Sequence, residues 1–81
     1  MEAHPFETIE SAEEFLELLH AEILASHSKV TELLNETDPK SIRQTEALRL
    51  VIHKLNQLAR NTQVSQRLLG DLRMLRNLLI R

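Results

Sequence analysis

The stretch NETDPKSIRQ, residues 35–44, divides the chain into two halves that each have the composition of a helix. Pro39 disfavours helical geometry at the residue before it, and that residue, Asp38, is a favourable N-cap for a helix with proline in its first position. The stretch therefore predicts a first helix that ends near Glu36, a turn at 37–39, and a second helix that begins near Pro39.

Two other pairs of residues have the spacing of a capping box, in which a hydroxyl residue precedes Glu or Gln by three positions. Ser41 and Gln44 mark an alternative start for the second helix. Ser11 and Glu14 have the same spacing in the first half. The first helix is therefore expected to start at Thr8 or at Ser11.

The composition is that of an all-α protein. The 81 residues include one Gly, two Pro, two Phe, and no Trp, Tyr or Cys. Helix formers dominate and turn-forming residues are scarce. We expect a flexible N-terminal tail over residues 1–7 and a single helical domain over 8–81, with helices at about 8–36 and about 39–80.

Apolar residues recur three and four positions apart along both halves, which is the pattern of helices that pack as in a coiled coil. In the first half this predicted seam is Ile9, Ala12, Leu16, Leu19, Ile23, Ser26, Val30 and Leu33. In the second half it is Leu48, Val51, Leu55 and Leu58, then the polar Thr62 and Ser65, then Leu68, Leu72, Leu75 and Leu79. The polar interruption predicts one of three structures: a bend, a break at 61–65 followed by a third helix from about 64 to 80, or a polar layer within one continuous helix.

The C-terminal stretch RLLGDLRMLRNLLIR, residues 67–81, carries more apolar surface than the first helix can cover. At about 1.5 Å per residue, a second helix over 39–80 is longer than the first by about a dozen residues. Either this stretch folds back as a third helix, or a second copy of the chain covers it. We predict an antiparallel helical hairpin that self-associates into a bundle, with its interface at Leu68, Leu69, Leu72, Leu75, Leu78, Leu79, Arg73 and Arg76.

The two halves carry opposite charge, although the formal net charge is only −2. Residues 1–38 contain nine Glu and one Asp against one Lys. Residues 39–81 contain seven Arg and two Lys against one Glu and one Asp. Such halves favour each other across an antiparallel seam. A turn at Asp38 predicts three neighbouring pairs: Glu22 with Lys54, Glu17 with Arg60, and Glu10 with Arg67.

Four histidines are the side chains that titrate near neutrality without perturbation: His4, His20, His27 and His53. Glu17 and His20 have the Glu-x-x-His spacing of carboxylate-bridged metal sites in helical bundles. Helical phase places Glu17 about 140° from the seam, so the pair does not point at one ion. We therefore interpret His20 and His27 as side chains that cover the edge of the core, and we expect no metal site and no cofactor.

The segment VIHKLNQLAR, residues 51–60, resembles the phosphoacceptor helix of histidine phosphotransfer domains. The resemblance covers His53 and Leu55, while Asn56 and Gln57 replace the Lys and Gly of that motif. It implies a signalling protein in which His53 accepts a phosphoryl group. His53 also points away from the predicted seam, as such a role requires.

Our leading prediction is a non-catalytic protein–protein interaction or assembly module, a small helical adaptor or chaperone-like protein, with no catalytic residues. The expected partner is a second copy, in a homodimer or higher helical oligomer, or else another helical protein. We expect no small-molecule substrate, and neither nucleic acid nor membrane as a partner. The absence of Cys and of a basic or apolar N-terminal signal leads us to expect a cytoplasmic protein.

Overall fold

The computed structural model describes residues 8–79 and shows two long helices packed against each other as an antiparallel hairpin. Helix α1 spans Ile9–Glu36 and helix α2 spans Ile42–Leu79. No strand is present within residues 8–79. The molecule measures 63 × 22 × 15 Å. The predicted all-α hairpin is confirmed.

Helix α2 is continuous through the polar stretch, so the third helix predicted from about 64 to 80 and the break at 61–65 are wrong for the described residues. Of the three structures left open, a polar layer inside one helix is the one observed. At about 1.5 Å per residue, the 28 residues of α1 span about 42 Å and the 38 residues of α2 about 57 Å. The predicted tail at 1–7 lies outside the described residues, as do residues 80 and 81.

The connection between the helices is longer than predicted. The Thr37 backbone is extended, and its hydroxyl donates a hydrogen bond of 2.6 Å to the Leu33 carbonyl oxygen. The Lys40 N–H donates to Asp38 Oδ1 at 3.0 Å, so the Asp38 side chain stabilises the turn that contains Pro39.

Helix α2 therefore begins at Ile42, immediately after Ser41, and not near Pro39. The Ser41 N–H donates to the Asp38 carbonyl oxygen at 2.9 Å, which places Pro39 inside a turn. The alternative start at Ser41 is the one that the structure shows.

The face of α1 that packs on α2 follows the predicted seam only as far as Ile23. Ile9 and Ile23 are the described apolar residues with the least exposed surface, at 5% and 4%. Beyond Ile23 the half-buried residues of α1 are His27, Val30, Thr31 and Leu34, while the predicted Ser26 and Leu33 are exposed. Val30 belongs to both patterns, while His27 and Leu34 replace their neighbours Ser26 and Leu33 in the seam.

The seam of α2 differs more from the prediction. One row of half-buried or buried residues repeats at intervals of three and four: Leu48, Ile52, Leu55, Ala59, Thr62, Gln66 and Leu69. Six residues of the predicted seam are instead exposed: Val51, Leu58, Leu68, Leu72, Leu75 and Leu79. Helix α2 therefore carries two neighbouring apolar rows, and only one of them faces α1.

A polar layer lies at the middle of the interface between the helices. Thr62 is only 5% exposed, and its hydroxyl donates a hydrogen bond of 2.8 Å to the Ala59 carbonyl oxygen. His20 Nδ1 lies 2.8 Å from the same hydroxyl oxygen. Because the single hydroxyl proton is used on Ala59, the imidazole must donate through Nδ1–H. No buried side-chain nitrogen or oxygen in the described part of the chain lacks a hydrogen-bond partner, which explains how polar residues occupy the seam without breaking α2.

Thr62→Val tests this polar layer, because valine keeps the shape of threonine but removes the hydroxyl. We expect the free energy of unfolding to fall by about 1 kcal/mol, since the half-buried His20 nitrogen loses its acceptor. Urea unfolding at fixed protein concentration measures the change. Thr31→Val is the matched control, because the Thr31 hydroxyl bonds only within α1, to the His27 carbonyl oxygen. A Thr62→Val variant as stable as the wild type would contradict the assignment.

Candidate interaction surface

The leucine-rich C-terminal part of α2 is exposed in the hairpin. Leu68, Leu72, Leu75, Leu78 and Leu79 are between 44% and 74% exposed. Leu69 is the exception, since it is half-buried on the face that packs against α1. Five of the six leucines predicted to form an interface thus remain uncovered by α1.

The two arginines of the predicted interface bond to α1. Arg73 Nε donates to Glu13 Oε1 at 3.0 Å, and Arg76 forms an ion pair with Glu10. The hydrogen bond from Arg76 lowers the pKa of Glu10, and the same bond raises the pKa of Arg76. These arginines therefore connect the two helices of one hairpin.

The observed ion pairs differ from the predicted pairing of Glu10 with Arg67. The longer connection moves α2 along α1 relative to the predicted register. The direction in which long side chains point increases the offset between the Cα atoms of bonded residues. Side chains on a helix lean toward its N-terminus, so long side chains on antiparallel helices meet when their Cα atoms are offset along the axis. Short side chains such as those of His20 and Thr62 report the backbone register more directly.

The hairpin has a charged side and an apolar side. Counted at about 100° per residue, Glu13 lies on one flank of α1, while Phe15 and Leu33 lie on the opposite flank. On α2, Arg73 lies toward the flank of the ion pair and Leu72 lies toward the other. We define the apolar side as the exposed residues on that second flank: Phe15, Leu33, Val51, Leu58, Leu68, Leu72, Leu75 and Leu79.

Shallow grooves on the surface of α2 are also apolar. One is lined by Leu50, Val51, Lys54, Leu55 and Leu58. Another is lined by Asp71, Met74, Leu75 and Leu78. Each groove is formed by a single helix, so each is a surface into which side chains of another helix can pack.

The remaining sequence candidates do not converge. His20 bonds to Thr62 across the seam, whereas Glu17 and His53 are exposed. Among residues 8–79, no three His, Asp or Glu side chains are grouped as metal ligands.

Neither of the two described helices combines the length and the apolarity that a membrane span requires.

Sequence reasoning identified the leucines of α2 but not the whole apolar side. The sequence places Val51, Leu58 and Leu33 in the predicted seam, whereas all three are exposed in the hairpin. Val51, Leu58, Leu72 and Leu79 are separated by seven residues or by twice seven. This spacing is the signal that places the four residues in one row.

Comparison with protein-family models, with curated protein sequences and with solved structures finds no match to this chain.

Glu10→Gln tests the ion pair with Arg76 through pH. A carboxyl whose pKa is lowered by folding stabilises the protein above its ordinary pKa of about 4.5, and that contribution is lost as pH falls through the lower value. We expect Glu10→Gln to be less stable than the wild type at pH 7 and equally stable at the acid end of the transition. Thermal unfolding between pH 7 and pH 3 measures both values. A difference that does not change with pH would contradict the ion pair.

Proposed function

We propose that this protein is a non-catalytic helical assembly module that binds another helical surface through its apolar side. The observation that carries the proposal is the row of exposed leucines on α2, which lies beside exposed Phe15 of α1. Large contiguous apolar patches on a protein surface mark sites that contact other proteins, membranes or ligands. Leucines spaced three and four residues apart suit a helical partner.

The hairpin also has too little buried surface for its size. Ile9 and Ile23 are the apolar residues that count as buried among those described. Fifteen large apolar side chains within residues 8–79 are instead exposed. This is more apolar surface than a stable monomer usually leaves in contact with water.

We propose that the usual partner is a second copy of the chain, which makes a homodimer or a higher helical oligomer. A face-to-face pair of hairpins forms a four-helix bundle, in which the exposed rows of both copies enter one core. Another helical protein with a matching apolar stripe is the competing partner.

Leu72→Asp tests the proposed surface, because it places a charge in the middle of the leucine row. An unpaired charge buried at an apolar contact costs several kcal/mol, so the dissociation constant of the assembly should rise by about 100-fold or more. Molar mass by light scattering, recorded with helicity by circular dichroism, measures the effect.

Asn77→Asp is the matched control, since it adds the same charge at an exposed position about 140° away around α2. We expect this variant to keep the wild-type mass. An unchanged mass for Leu72→Asp, or an equal loss in both variants, would contradict the proposed surface.

Histidine phosphotransfer is the second candidate function, and the exposure of His53 on α2 supports it. A bundle of two hairpins would present this side chain on an outer surface. Incubation with acetyl phosphate should then label the wild type and not His53→Ala, while the His27→Ala control keeps its label. Absence of an acid-labile label on the wild type would reject this candidate.

A further inference from the structure

We propose that the second copy packs on the apolar side with its turn at the same end, so that α1 of each hairpin lies over α2 of the other. This inference rests on the proposed self-association and adds its geometry. The occupant of the apolar side is thus the oppositely charged helix of an identical chain.

Two identical hairpins can stack face to face in two ways. A twofold axis parallel to the helices places both turns at one end and sets each α1 over the partner's α2. A twofold axis across the helices places the turns at opposite ends and sets α1 over α1 and α2 over α2. The choice between the two decides which charges meet.

Charge favours the first arrangement. Helix α1 carries seven Glu and one Lys, while α2 carries six Arg and one Lys against one Glu and one Asp. In the first arrangement each acidic helix has a basic helix on both neighbouring sides of the bundle. In the second, helices of like charge face each other along the new interface, which costs free energy.

The positions of the apolar residues favour the same arrangement. A twofold axis parallel to the helices keeps every residue at its own height, so the register seen between His20 and Thr62 also applies between copies. At that register, Phe15 lies level with the partner's Leu68, and Leu33 with the partner's Val51. In antiparallel helices, residues at the same height have residue numbers with a constant sum. The sums for these two pairs differ from that of His20 and Thr62 by at most two residues, which is about 3 Å along the helix.

A small residue faces the next large one. The partner's Leu58 lies level with Ser26, which is exposed on the apolar side of α1. A leucine opposite a serine fills the space that a larger residue would occupy, as knobs fill holes in a bundle. Three levels of the interface therefore pair large with large, large with small, and large with large.

One pair of like charges lies at the edge of this interface. Lys29 and the partner's Lys54 are level with each other and are both exposed in the hairpin. In the opposite arrangement, Lys29 would instead lie level with the acidic N-terminal half of the partner's α1. Reversal of the charge at Lys29 should therefore strengthen the dimer in the first arrangement and weaken it in the second.

The first experiment measures distances between spin labels at the two ends of the hairpin. The chain has no cysteine, so Lys40→Cys and Ser11→Cys each introduce one label at an exposed position. Helices in a bundle pack 8–10 Å apart, so both variants should give label separations below roughly 30 Å in the dimer.

Other distances would overturn the arrangement. With the turns at opposite ends and the hairpins fully overlapped, the separation at Lys40 would approach the 63 Å length of the molecule, while the separation at Ser11 would be about 30 Å, because Ser11 lies level with residue 71 and not with the end of α2. A separation at Lys40 well above 63 Å, with a short one at Ser11, would show that only the C-terminal parts of α2 overlap. Either result in a protein of dimeric mass rejects this geometry and leaves the proposed function intact, whereas a monomeric mass rejects both.

The second experiment reverses one charge. We expect Lys29→Glu to lower the dissociation constant of the dimer by about twofold to fivefold at low salt, because it faces the partner's Lys54. The double variant Lys29→Glu with Lys54→Glu should lose this gain, and 0.5 M salt should reduce it. Weaker association of Lys29→Glu would contradict the arrangement, because it would place Lys29 beside acidic residues of the partner.

Discussion

Two helices in contact can cover only one row of side chains on each other, and α2 carries two apolar rows. The row that includes Leu55 and Leu69 packs on α1, while the row that includes Leu72 and Leu79 is exposed. No change of register within the hairpin can bury both rows, because they lie on different flanks of one helix. The rest of the molecule follows from this limit: a thin core, a large exposed surface, and one side of the hairpin that lacks a cover.

The polar contacts determine which row packs inside. His20 bonds to Thr62 in the middle of the interface, and Glu13 and Glu10 bond to arginines near the end of α2. Each of these bonds is lost if α2 rotates to bring the leucine row inward. Single buried polar residues are known to specify register in coiled coils at a cost in stability. In this hairpin the polar layer selects the orientation that leaves the leucines exposed.

Much of the fold could be predicted from the sequence, and the reasons for the errors are physical. The scarcity of Gly and the turn at Pro39 indicated a helical hairpin, and both helices lie close to their expected ranges. Periodicity could not determine which of two apolar rows faces α1, because both rows have the spacing of a seam. The partners of Arg73 and Arg76 depended on the length of the connection and on the lean of long side chains, which composition does not show.

We propose that a second molecule covers the apolar side and that the hairpin depends on that cover. Sedimentation equilibrium across a dilution series, with helicity recorded on the same samples, tests it most directly. We expect a mass of at least twice 9.4 kDa and a loss of helicity as dilution separates the copies. A 9.4 kDa monomer that keeps its full helicity at every concentration would contradict it.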